Sequence, residues 1–68
     1  MRIDAASDLP SRVLRALRRE REAGSAVVAR ALGVQTRTVH GVLGRLVASG
    51  QVRVVRSVGQ AKIYAVAT

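Results

Sequence analysis

Apolar side chains recur along the first third of the chain at the spacing of one helix face. Leu9, Val13, Ala16 and Leu17 form a stripe that Leu14 widens, while Arg12, Arg15, Arg18, Arg19 and Arg21 fall mostly elsewhere. The pattern predicts a helix from about Leu9 to Ala23, with Ser7 or Asp8 as cap and Pro10 tolerated in the first turn. Gly24 is placed to end it, because glycine enters the left-handed backbone region without a Cβ clash. Ser25 can cap a second, shorter helix to Leu32, with Val28, Ala29 and Leu32 on one face and Gly33 as its stop. After Val34, Gln35 and Thr36 comes a third stripe of Val39, Leu43, Leu46 and Val47, bordered by Val42, which predicts a helix ending before Gly50.

Past Gly50 the period changes from helical to two. Val52 and Val54 alternate with Gln51 and Arg53, and Ile63 to Ala67 is again rich in strand formers. Ser57 to Ala61 contains one glycine, so the two strands read as an antiparallel hairpin with its tip near Gly59. Tyr64, the single aromatic residue, alternates with Val66 and is expected to face the helices, its hydroxyl reaching a polar partner at the edge. That placement argues against single-stranded nucleic acid, whose binders generally use several exposed aromatic platforms.

A chain of 68 residues with 49% hydrophobic content has room for one modest core. Without cysteine it has no disulfide and no thiolate metal site, and no apolar run approaches the roughly 20 residues that span a bilayer. The expectation is a soluble cytoplasmic protein. Charge adds more: 12 Lys and Arg oppose 4 Asp and Glu, a formal net charge of +8, which points to acidic polymers as partners. All the acids (Asp4, Asp8, Glu20, Glu22) precede Ala23, whereas Arg30, Arg37, Arg45, Arg53, Arg56 and Lys62 follow it unopposed in sequence. All of the cations but Lys62 are Arg, which either serves bidentate contact with phosphate and guanine or reflects a GC-rich genome.

The order of helix, short helix, tight turn, helix and hairpin resembles the winged helix-turn-helix superfamily, in the form of small bacterial or phage transcriptional regulators. Val28, Ala29, Arg30, Ala31, Leu32, Gly33 and Val34 look like that family's second helix and turn. Thr38, Val39, Leu43, Leu46, Gly50 and Val52 look like its recognition helix running into the wing. The resemblance implies an α+β fold, a three-helix helix-turn-helix core followed by a β-hairpin wing, over residues 9–68 with an N-terminal arm at 1–8. It implies double-stranded DNA as partner, transcriptional regulation such as repression, and association with the nucleoid. Spacing is also similar to the winged helices that bind Z-form nucleic acid. Their third-helix Asn and Tyr and wing Trp are matched here by His40, Gly44 and Tyr64, which speaks against that use.

On this resemblance the third helix lies in the major groove, and the side chains opposite its apolar stripe read the bases. They are Gln35, Thr36, Arg37, His40, Gly41, Gly44 and Arg45. Arg37 is the candidate for a bidentate guanine contact, Gln35 pairs with adenine or holds a phosphate, and Thr36 and Thr38 position the backbone. Arg37 and Arg45 either do this or remain solvated surface charge, and His40 either donates to DNA or sits exposed. Gly41 and Gly44 each cost a helix about 1 kcal/mol relative to Ala, so they are either tolerated or bring bare backbone close to DNA or to another helix. Arg53, Arg56 and Lys62 would place cations on the wing, against phosphates or in the minor groove.

No nucleophile, base and orienting group recur at motif spacing and no phosphate-binding glycine loop is visible, so no catalytic residue, cofactor, metal or small-molecule ligand is assigned. Two other uses of the fold stay open: a protein-interaction module, and a DNA-bending accessory factor in phage or transposon recombination. A domain this small reads a short site alone, so homodimerisation or a further region is expected for strong specificity.

Overall fold

A computed structural model describes residues 8–67. Its elements run α1 (Leu9–Glu20), β1 (Ala23–Gly24), α2 (Ser25–Leu32), α3 (Thr36–Ala48), β2 (Val52–Val58) and β3 (Ala61–Val66). The expected class, three helices followed by an antiparallel hairpin, is the one found. The expected arm at 1–8, with the Ser7 cap, lies outside the described residues save for Asp8. Asp8 takes the cap position of α1 but makes no side-chain capping bond.

The helical stripes converge on one core. Val13 and Leu17 of α1, Val28 and Ala29 of α2, and Val39, Leu43 and Leu46 of α3 pack with Ala23, Val52 and Tyr64 from the sheet. Leu17 and Leu43 are the largest fully buried side chains, and each such burial is worth about 1.5–3 kcal/mol. Tyr64 is only 5% exposed, facing the helices as its alternation suggested. Among the described residues no helix is long and apolar enough to cross a membrane.

The first helix departs from expectation. It stops at Glu20, short of Ala23, and the chain reverses at Arg21 (φ 71°, ψ −51°) with Glu22 N–H donating to the Glu20 carbonyl at 2.8 Å. That is a γ-turn of the rarer, strained hand, at a residue other than glycine. Gly24 is therefore not a left-handed stop. It is extended (φ −85°, ψ 167°) and belongs to β1, where Ala23 pairs with Tyr64 and Gly24 with Ile63. The sheet thus has three strands in the order β1-β3-β2. Pairing with β3 satisfies backbone groups that a longer helix would have satisfied itself, and the strain at Arg21 is the local cost. Ser25 is the first residue of α2 and not its cap, a position taken by Gly24.

Gly33 does end α2 in the left-handed conformation (φ 72°), with Val34 N–H returning to the Ala29 carbonyl at 3.0 Å. Arg12 is half-buried, unlike the other arginines of α1, and its Nη2 donates to the carbonyl of Leu32 at 3.3 Å. A cation there supplies a partner to an orphan carbonyl at the negative end of α2. In the hairpin Val58 pairs with Ala61 around the turn at Gly59 (φ 62°), so the tip lies where the lone glycine of that segment suggested. A bulge at Val55 shifts the register between Val54, opposite Tyr64, and Arg56, opposite Ile63.

Candidate nucleic-acid interface

Burial of Val39, Leu43 and Leu46 fixes the rotation of α3 about its own axis. The opposite face then carries Arg37, His40, Gly41, Gly44 and Arg45, all exposed. Arg37, Gly41 and Arg45 follow at intervals of four and line an open groove with Thr38 and Val42. Val42, half-buried at the margin of the apolar stripe, is a groove residue the sequence reading did not select. Its signal was available in the same i, i+4 spacing from Thr38.

Neither helical glycine meets a neighbour. A Cβ at Gly41 or Gly44 would have nothing within 4 Å beyond its own helix, so the fold itself requires glycine at neither position. Gln35 and Thr36 are exposed at the start of α3, where Gln35 is extended and accepts from the backbone N–H groups of Thr38 and Val39 at 3.1 and 3.2 Å. The Gln35 side chain makes no capping bond, which leaves it and the first turn of α3 open to solvent.

The wing cations divide. Residues opposite one another in an antiparallel pair share a face, so Val52, Val54, Ser57, Lys62, Tyr64 and Val66 lie on the face turned to the helices. Arg53 and Arg56 lie on the other face, and only the bulge at Val55 puts both of them there. Arg56 is also not unopposed: its Nη1 donates to Glu22 Oε1 at 2.6 Å, the single ion pair among the described residues. The sequence placed all acids early but had no means of showing that one returns to the wing. Arg37 and Arg45 on α3, and Arg53 and Lys62 on the wing, have no acidic partner within the described residues.

No protein-family model matches the chain, and no curated protein matches it. Among solved structures it is similar to the crystal structure of the AntR antimony-specific transcriptional repressor, with a TM-score of 0.76 and 28% sequence identity. The match covers 84% of this chain and 50% of that one, so the chain spans about half the length of that repressor. The helix order, the turn at Gly33, the hairpin and this likeness together make the chain a winged helix-turn-helix domain.

Proposed function

We propose that the protein is a sequence-specific double-stranded DNA-binding transcriptional regulator, acting on chromosomal DNA as a repressor. The observation that carries this reading is the line Arg37, Gly41, Arg45: two guanidinium groups without acidic partners among the described residues bracket bare backbone on the exposed face of α3. Eight residues of helix rise about 12 Å, which spans roughly three to four base steps of about 3.4 Å. With α3 in the major groove, Arg37 and Arg45 reach guanine edges or phosphates at the two ends, and Gly41 and Gly44 allow close approach between them. Gln35, Thr36 and Thr38 meet the backbone or an adenine where the chain enters the helix, and His40 donates beside them. Arg53 and Lys62 contact phosphates or the minor groove from the wing, and Arg56 joins them when released by Glu22.

The likeness to a transcriptional repressor supports the same reading. Antimony specificity belongs to that protein. These 68 residues contain no cysteine to offer a soft, thiophilic ion thiolate ligands, so the proposal assigns them no site for such an effector. Two copies on a palindromic site would supply the specificity one small domain lacks. Selection of bound duplexes from a random pool, followed by footprinting, tests the proposal. An enriched motif with paired half-sites is the expected result, and failure to retain any duplex at low ionic strength would overturn it.

A further inference from the structure

We propose that the cleft between α1 and α2 docks an acidic amphipathic segment of a protein partner, on a surface separate from the α3 face. Arg12, Arg15 and Arg19 wall the cleft, Glu20 is the one acid on its rim, and Ala16, Ala31 and Leu32 floor it. The three arginines recur at helical spacing and so stand in one row, an arrangement of like charges that weakens an isolated helix. None of them has an acidic partner among the described residues. Arg12 is already oriented, because its guanidinium is half-buried and bonded to the Leu32 carbonyl at 3.3 Å, while Arg15 and Arg19 stay exposed.

The cleft holds about 140 Å³, close to the ~150 Å³ of an apolar cavity that accepts a benzene-sized guest. It therefore takes one Leu- or Phe-sized side chain, with carboxylates on the flanking positions meeting the arginines. A nucleic-acid backbone matches the walls and not the floor, since phosphate and sugar project no apolar group of Leu or Phe size to fill it. Because no residue of α3 or of the hairpin lines the cleft, a bound duplex and a docked partner are compatible on one molecule.

The test is a titration with a labelled synthetic helical peptide whose leucines are flanked by glutamates, with a leucine-to-serine peptide as control. Saturable binding is expected, with amide shift changes centred on Ala16, Ala31 and Leu32. Arg15→Ser combined with Arg19→Ser should weaken it by about tenfold or more, the dispersed spectrum showing that the variant remains folded. Arg37→Ala with Arg45→Ala should change peptide affinity less than about twofold while abolishing duplex retention, which separates this site from the DNA-binding reading. Equal binding of the serine peptide, shifts centred on α3, or displacement of the peptide from the cleft by duplex DNA would each overturn the proposal.

Discussion

Arg56 in β2 donates from Nη1 to Oε1 of Glu22, in the turn before β1, across 2.6 Å and 34 positions of sequence. Strand β3 lies between the two elements, and its Ile63 is the register partner of both Arg56 and Gly24. The pair thus bridges the solvent face of the sheet and ties the wing to the strained turn at Arg21. With side chains 58% and 41% exposed, it contributes at most about 1 kcal/mol to stability. Its larger effect is to hold one wing cation away from any other anion.

Replacing Glu22 by Gln removes the carboxylate and frees Arg56. Stability should fall by less than about 1 kcal/mol, while duplex affinity rises and the log-log salt slope steepens by about one. Duplex titrations at several salt concentrations measure both. Identical slopes for the two proteins would show that Arg56 takes no part in binding.

Base reading and phosphate contact are separable by substitution. With roughly 4 to 6 phosphates neutralised, the salt slope of the unaltered protein should be about −4 to −5. Lys62→Ala should weaken every duplex alike and reduce that slope by about one. Arg37→Ala should instead cost about 1–3 kcal/mol on the preferred site and relax the choice of base at one position. A competition series of single-base variants distinguishes the two patterns.

Gly41→Ala sets stability against binding. A Cβ at this position meets nothing within 4 Å, so helix propensity alone should raise stability by about 1 kcal/mol. For a domain of this size that is a gain in Tm of about 4–8 °C. Duplex affinity should fall in the same variant, because the added methyl stands between Arg37 and Arg45 on the exposed face of α3. A thermal melt and a mobility-shift assay on one preparation check both halves, and unchanged affinity would leave Gly41 without a role in binding.

Arg21→Gly should stabilise the domain. A side chain at φ 71° costs about 1–3 kcal/mol in strain, against about 0.5–1 kcal/mol for the extra freedom of glycine in the unfolded chain. The net gain of about 1 kcal/mol is readable by denaturant unfolding. A loss of stability would mean that the Arg21 side chain contributes more than its backbone costs.

Much of the architecture was legible because it is written in local terms. The stripe of Val39, Leu43 and Leu46 defined α3 and, by opposition, the face on which Arg37, His40, Gly41, Gly44 and Arg45 stand exposed. Gly33 and Gly59 marked turns because each needs a positive φ, a property of the residue itself. Gly24 misled for the same reason: a glycine after a helical stripe suggests a stop, yet here β3 recruits it into a strand.

Periodicity and backbone permission reside in neighbouring residues, so the order of helices, the turn and the hairpin followed from the sequence by itself. The two-residue strand at Ala23, the reversal at Arg21, the bulge at Val55, the Arg12 bond to Leu32 and the Arg56 pair with Glu22 did not. Each joins groups distant along the chain, or is imposed by a partner strand that is. Only packing α1, α2 and the hairpin around Leu17, Leu43 and Tyr64 brings those groups within reach, and that decided which cations stay open to a partner.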